Sequence, residues 1–209
     1  MVETEIGTHP RHSDVPVNFL NTVLKNDLVN TIFDSTMETK ILPATIEDTF
    51  ELNALVNSAY RGDSSKQGWT TEADLLDGTR MDEAAMQELI QRPGTTVLKY
   101  VEDNIILGCE ELRHENGKLY LGMLSVAPNT QGKGIGKKML SAAEEHAKKL
   151  GVKTIFMTVI SVRNELVDWY VRHGYQLTGE RKPFVVQDTR WGIPKQKLEF
   201  AVLEKALGN

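Results

Sequence analysis

The segment that most constrains the fold is 124–138, which is typical of a strand, a glycine-rich turn and the start of a helix. Three glycines spaced by two allow the backbone to come close to a ligand, and their N–H groups lie at the positive end of the helix. Two lysines in the same turn add positive charge. The segment therefore predicts a loop that binds a phosphate group. The residues concerned are Gly132, Gly134, Gly136, Lys133 and Lys137.

Two common phosphate-binding patterns do not fit this loop. A Walker loop that begins at Gly132 requires glycine where Lys137 stands, and a dinucleotide fingerprint from Gly132 fails at the same residue. The pattern that remains is Gln131-x-x-Gly134-x-Gly136, preceded by Val126-x-Pro128. It resembles the pyrophosphate loop of the GNAT acetyltransferases, in which this loop binds coenzyme A.

A second signature follows at the spacing that the resemblance implies. The segment 164–175 begins with Asn164, contains Tyr170 and ends in Gly174-Tyr175, which is similar to the second conserved segment of the GNAT family. It departs from the family in Val167, where a small residue is usual, and in Tyr175, where phenylalanine is usual. The resemblance covers about residues 40–205.

The order of the predicted strands and helices agrees with the fold that this resemblance implies. The hydrophobic pattern from Lys40 onward alternates between strands and helices, and 119–159 reads as strand, helix and parallel strand. The resemblance implies an α/β (α+β) GNAT fold, with a central mixed, twisted sheet of about six or seven strands. Helices cover both faces, and the sheet is splayed at the cofactor strand. We read 61–80 as one long loop, and the helix from Gly134 is predicted to bury Ile135, Met139, Ala142, Ala143, His146, Ala147 and Leu150.

Residues 1–39 are predicted to form an extension of the GNAT domain, which is assigned to 40–209. Val17, Leu20, Leu24 and Leu28 fall on one stripe of an amphipathic helix. This helix would pack on the main domain or on a second copy of the chain, and a homodimer is one arrangement that it would serve.

Composition narrows the classes of partner. The net charge of −5 argues against nucleic acid, and no apolar stretch approaches the roughly 18 residues of a membrane span. The first residues lack the basic and apolar regions of a signal peptide, so we expect a cytoplasmic protein, with nuclear access left open. Cys109 lies in an apolar run and is read as a small buried hydrophobe. His9 and His12 are read as solvated residues, and no metal is expected.

The resemblance implies acetyl-CoA as cosubstrate. The strand 124–126 would bind the pantetheine arm through its main chain, and the amide of Val126 would polarise the acetyl carbonyl. The loop amides would hold the pyrophosphate, and Asn164 would contact the pantetheine or its phosphate. The predicted cofactor-binding residues are Leu124, Ser125, Val126, Gln131, Gly132, Lys133, Gly134, Ile135, Gly136, Lys137 and Asn164.

Acetyl transfer to an amine also requires an acid for the departing thiolate and a neutral attacking amine. Tyr170 matches the position of the tyrosine that protonates the coenzyme A thiolate in the family. Many relatives place a basic glutamate near 120–122, but this chain has Tyr-Leu-Gly there. Glu111 is the predicted base, acting through water. Glu110 and Glu72 are alternatives, and a base is unnecessary if the amine binds already neutral.

The acceptor wall is expected within 61–90, with contacts from Trp69, Glu72 and Arg80. Acidic residues outnumber basic ones there, which favours a cationic amine, whereas Arg61 and Arg80 could instead bind the carboxylate of an amino acid. The sequence favours an N-acetyltransferase that acts on a small-molecule amine or amino acid by direct attack in a ternary complex. The alternative is a non-catalytic acyl-CoA sensor or interaction module.

Overall fold

A seven-stranded mixed sheet forms the centre of the computed structural model, which describes residues 38–185 and 192–208 of the 209-residue chain. The strand order across this sheet is β1-β3-β4-β5-β6-β9-β7, and β2 pairs with β8 in a separate two-stranded sheet. The strands are β1 (Thr39–Pro43), β2 (Leu76–Asp77), β3 (Thr95–Glu102), β4 (Ile105–Glu115), β5 (Lys118–Val126), β6 (Thr154–Ile160), β7 (Gln176–Pro183), β8 (Ile193–Pro194) and β9 (Glu199–Ala206).

The helices alternate with these strands along the described chain. They are α1 (Thr49–Tyr60), α2 (Gly62–Ser65), α3 (Glu83–Gln91), α4 (Ile135–Lys149) and α5 (Asn164–Arg172). A 3-10 turn over Ile46–Asp48 precedes α1. It is closed by a capping box, in which the Thr45 N–H donates to Asp48 Oδ2 at 2.7 Å. A second 3-10 turn, Pro128–Thr130, lies between β5 and α4.

Two tight hairpins build the first half of the sheet. The turn between β3 and β4 places Asp103 and Asn104 at positive φ, and the turn between β4 and β5 does the same with Asn116 and Gly117. Positive φ at both central residues is the type I′ geometry that matches the twist of the flanking strands. The Asn116-Gly117 pair therefore explains why a hairpin forms between β4 and β5.

The sheet opens between β5 and β6. These strands run parallel but pair only at Leu119↔Ile155 and Tyr120↔Phe156. On the other side of β5, Cys109 pairs with Ser125 and Glu111 pairs with Gly122, so that β5 carries a bulge at 123–124 opposite Glu110. Met123 in the bulge has φ of 54°. The predicted splay at the cofactor strand is confirmed.

Each face of the sheet carries its own apolar core. On one face, α4 and α5 pack on the sheet through residues such as Met139, Ala143 and Val167. On the other face, Leu52 and Val56 of α1 pack with Met86 of α3 against Val97 and Cys109. The α/β class with helices on both faces is confirmed, and Cys109 is fully buried as predicted.

Two predictions about local structure were wrong. The segment 61–80 is not one continuous loop, because it contains α2 and β2. Leu150, predicted to lie on the buried side of α4, is 51% exposed, whereas Leu140 is buried at 2%. The helix ends at Lys149, so Leu150 no longer follows its buried stripe.

The predicted amphipathic helix at 17–28 lies outside the described residues. Among the helices within 38–185 and 192–208, none combines the length and apolarity that a membrane span requires.

Candidate active site

A cleft of about 430 Å³ lies beside the glycine-rich turn. It lies where β5 ends, α4 begins and α5 approaches from the other side. Its volume is within the usual range for small-molecule sites, and its wall is mainly apolar and aromatic. The lining residues are Trp69, Thr70, Leu124, Val126, Gln131, Gly132, Gly134, Ile135, Gly136, Lys137, Leu166, Trp169, Tyr170, Arg172 and His173.

The turn itself has the geometry of an anion site. Gly132 and Gly134 both have φ of +82°, a conformation that other L-residues rarely adopt, and Gly134 is the N-cap of α4. No atom lies within 4 Å of a Cβ built on either glycine. The first N–H groups of a 15-residue helix therefore lie beside open space, with the Lys137 side chain at the rim of the cleft.

Gln131 joins this turn to the segment before β2. Its Oε1 accepts the Trp69 N–H at 2.9 Å, and its Nε2 donates to the Val126 carbonyl at 3.2 Å. Gly68 leaves room for this side chain, because a Cβ at Gly68 would lie 2.8 Å from Gln131 Cδ. One amide side chain thus holds the predicted acceptor wall against the predicted cofactor loop.

Two tryptophans meet across the cleft. The ring centroids of Trp69 and Trp169 lie 6.2 Å apart, and Trp169 also packs on His173 at 4.2 Å. A Cβ on Gly136 would lie 3.2 Å from Trp169 Cζ2, so the glycine allows the indole to sit close to α4. Trp169 therefore packs against α4 and also lines the cleft.

A second, smaller cavity of about 100 Å³ adjoins the cleft in the gap between β5 and β6. Leu124, Leu166 and Tyr170 line both spaces. The remaining wall of the second cavity contains Tyr60, Glu72, Arg80, Tyr120, Leu121, Gly122, Met123, Met157, Thr158, Val159, Ile160, Arg163 and Phe200.

Tyr170 stands at the junction of the two cavities. It is 5% exposed, and its hydroxyl makes no hydrogen bond to the described part of the chain. Burial raises the pKa of Tyr170 well above its ordinary value, and the nearby Tyr60 and Tyr175 act in the same direction. The phenol therefore keeps its proton at neutral pH.

Glu72 is held in a buried ion-pair network. One carboxylate oxygen accepts from Arg61 Nη1, and the other accepts from Arg163 Nη1 at 2.8 Å. All three side chains are less than 10% exposed. Arg163 also donates to Thr70 Oγ1 at 2.6 Å, which ties this network to the segment of Trp69. Because both oxygens of Glu72 are occupied by arginines, its charge is already compensated inside the protein.

Arg80 reaches the same cavity from the segment before α3. Its main-chain N–H donates to Asn57 Oδ1 at 2.8 Å, and its guanidinium lies over the Tyr60 ring at 5.5 Å from the centroid. The Tyr60 hydroxyl in turn donates to the Leu124 carbonyl at 3.3 Å. These contacts connect α1, the Arg80 segment and the bulge of β5.

Glu110 and Glu111 are adjacent on β4, so their side chains lie on opposite faces of the sheet. Glu110 is fully buried without a hydrogen-bond partner in the described ranges, and burial raises its pKa well above the ordinary value. Glu111 Oε1 accepts from Arg113 Nη1 at 2.8 Å. Burial raises the pKa of Glu111, while Arg113, Arg92 and Arg80 act in the opposite direction. A Cβ on Gly122, in the wall of the second cavity, would lie 3.1 Å from Glu111 Oε2.

The structure brings most of the predicted site residues together. Ser125, Lys133, Asn164 and the predicted base Glu111 do not line either cavity, and the Ser125 hydroxyl donates to the Met123 carbonyl at 2.9 Å. Sequence reasoning missed Tyr60, Tyr120 and Arg163, because no local motif marks them and only the fold brings them to the cavity. Within the described ranges, no group of three or more His, Cys, Asp or Glu side chains is arranged to hold a metal ion.

Solved structures with a similar fold are N-acetyltransferases. The ribosomal-protein-S18-alanine N-acetyltransferase of Escherichia coli matches with a TM-score of 0.62 at 11% identity, over 82% of this chain and 96% of that chain. PaiA N-acetyltransferase from Thermoplasma acidophilum, solved in complex with coenzyme A, matches with a TM-score of 0.57 at 20% identity, over 81% and 99%. At these identities the likeness shows the fold.

Curated relatives match over shorter segments. The amino-acid acetyltransferase of Ralstonia nicotianae is 32% identical over 91 residues, which are 43% of this chain and 19% of that protein. The spermine/spermidine N(1)-acetyltransferase of Bacillus subtilis is 32% identical over 83 residues, which are 39% and 48%. The chain thus spans no more than about half the length of these relatives.

A family model decides the membership. The model described as the acetyltransferase (GNAT) domain matches residues 62–187, which is more than half of the chain. The matched range contains most of the residues that line the two cavities. The sheet that opens beside a glycine-rich helix start agrees with that match. The chain therefore belongs to the GNAT family of acetyltransferases.

Proposed function

We propose that the protein is an acetyl-CoA-dependent N-acetyltransferase that acts on a primary amine of a small molecule or amino acid. The observation that carries this proposal is the position of Tyr170, which lines both the large cleft and the smaller cavity. A thioester in the first space and an amine in the second would meet at its hydroxyl. All of the residues concerned belong to the proposed catalytic domain, 40–209.

The large cleft is the proposed site of acetyl-CoA. The amides of Gln131–Lys137 would bind the pyrophosphate at the helix N-terminus, where the dipole and Lys137 favour negative charge. Leu124 and Val126 would offer main-chain groups to the pantetheine arm, because β5 is no longer paired with β6 at this point. The amide of Val126 is proposed to polarise the acetyl carbonyl.

Two side chains carry the two proton transfers of the proposed chemical step. The amine nitrogen attacks the acetyl carbon, and the C–S bond breaks to release a thiolate. Tyr170 donates its proton to that sulfur, since its raised pKa keeps the phenol protonated. Glu111 takes the amine proton through water, because its second oxygen faces Gly122 in the cavity wall. Glu110 and Glu72 suit this role less well: one is fully buried, and the other is bound by two arginines.

The first prediction concerns the phosphate site. Gly134→Asp is expected to lower the affinity for coenzyme A by about 10²-fold, because it places a negative charge where the diphosphate would bind. Isothermal titration calorimetry measures the change. Gly94→Asp is the matched control. Gly94 also has positive φ (+74°) and open space around its Cβ position, but it follows α3 and lines neither cavity. Equal loss of affinity in both variants would contradict the assignment.

The second prediction concerns the acid. Tyr170→Phe is expected to lower kcat by about 10²-fold and to leave the Kd for coenzyme A within about threefold, since only the proton donor is removed. Thiol release from acetyl-CoA gives the rate. Tyr175→Phe serves as the control, because Tyr175 is buried and its hydroxyl has no hydrogen-bond partner in the described ranges. Unchanged turnover in Tyr170→Phe would remove the proposed role.

The third prediction concerns the base and pH. A base acts in its ionised form, and the pKa of Glu111 is raised above the ordinary 4.5. The rate is therefore expected to increase as the pH rises through this pKa and to be low at pH values below it. Glu111→Gln is expected to lower kcat and to abolish this acidic limb of the pH–rate profile. Glu115→Gln removes the other carboxylate that Arg113 binds and should keep the limb. An unaltered limb in Glu111→Gln would show that Glu111 is not the base.

A further inference from the structure

The second cavity has an excess of positive charge. Among the residues of its wall, Arg80 and Arg163 are cationic, and Glu72 is the carboxylate. Glu72 is already shared between Arg163 and the buried Arg61. Arg80 has no carboxylate within ion-pair distance in the described ranges, so its charge is available to a ligand.

The other titratable groups around the cavity do not cancel this charge. Glu111 on β4, whose pKa burial raises and Arg80 acts to lower, is bound by Arg113, and Arg92 lies 3.9 Å from the same oxygen. Glu110 is fully buried and does not line the cavity, and burial raises its pKa well above the ordinary value, which disfavours its charged form. Burial likewise raises the pKa of Tyr60, to about 12, and that of Tyr120, so both phenols are neutral.

Arg80 is also held in place before any ligand arrives. Asn57 binds its main-chain N–H through Oδ1 and donates to the Met81 carbonyl at 2.9 Å, which fixes the segment on α1. The Arg80 Cζ atom lies 5.5 Å from the centroid of the Tyr60 ring, which is a cation–π contact with the side chain of α1. A planar guanidinium fixed in this way suits the two oxygens of a carboxylate.

We propose that the acceptor carries a carboxylate as well as its amine, as an α-amino acid does, and that Arg80 binds this carboxylate in the second cavity. The inference rests on the proposed function and narrows its acceptor class. A cavity of about 100 Å³ favours a compact molecule of this kind.

The same charges disfavour a polyamine acceptor. A second ammonium group in the cavity would lie near Arg80 and Arg163 and would find Glu72 already bound. The positive surroundings also favour the neutral form of the attacking amine, which reduces the work left to the base. The acidic residues counted along 61–90 therefore do not set the charge of the cavity, because Glu72 is the one that lines it.

The test compares matched acceptors with the full chain. Leucine, leucinamide and 3-methylbutylamine share a side chain but differ in the carboxylate, and phenylalanine with its amide and amine forms a second set. We expect kcat/KM for the acids to exceed that for the amides by at least about 10-fold. Arg80→Gln should lower kcat/KM for the acids by about 10²-fold and leave the amides within about threefold.

The acceptors differ in the basicity of their amines. Each variant is therefore compared with the wild type on the same acceptor, so that this difference does not enter the ratio. Arg181→Gln is the control, since Arg181 is exposed on β7 and lines neither cavity. Preference for spermidine or for the amides, or an equal loss on all acceptors in Arg80→Gln, would overturn the proposal.

A binding measurement separates this proposal from the proposed function. N-acetylleucine is titrated by calorimetry into the protein saturated with coenzyme A, in the wild type and in Arg80→Gln. Binding that is lost in Arg80→Gln supports the carboxylate site even if no amine is acetylated, in which case only the proposed function fails. Absence of any Arg80-dependent binding, together with absence of a preference for acids, overturns the carboxylate site.

Discussion

The separation of β5 from β6 is the constraint on which the site depends. The two strands share only two residue pairs, and the bulge of β5 turns the strand away from its neighbour after Tyr120. Main-chain polar groups that leave a sheet must find other partners, and the Leu124 carbonyl finds one in the Tyr60 hydroxyl. The second cavity lies in this gap, and Leu124, Leu166 and Tyr170 line both it and the cleft at the start of α4. Both proposed substrates would therefore meet beside one strand.

Polar side chains at low exposure hold the walls of this gap together. Gln131 links the phosphate turn to Trp69, and the Arg61–Glu72–Arg163 network links the same segment to the start of α5. Buried charges are costly unless each is paired, and here two guanidinium groups share one carboxylate. Arg80 and Arg163 line the second cavity beside this network. The interactions that shape the proposed acceptor wall would thus also determine which molecules the cavity accepts.

The parts of the site that the sequence predicted are the local ones. A strand, a glycine-rich turn and a helix start lie within fifteen consecutive residues, so their pattern can be recognised directly, and Tyr170 follows from its spacing after Asn164. Tyr60, Tyr120 and Arg163 come from three different elements, and only the strand order brings them together. The number of charged residues along 61–90 does not indicate that two arginines bind Glu72. The prediction that Leu150 is buried was wrong because the helix ends one residue before it.

The central claim is that backbone amides at the start of α4 bind the diphosphate of coenzyme A. Calorimetric titration of the protein with coenzyme A and, separately, with pantetheine tests it most directly, because the two ligands share the thiol arm and differ in the phosphate-bearing part. The account predicts one binding site for coenzyme A and an affinity for pantetheine that is lower by about 10²-fold or more. Equal affinities, or no binding of coenzyme A, would contradict it.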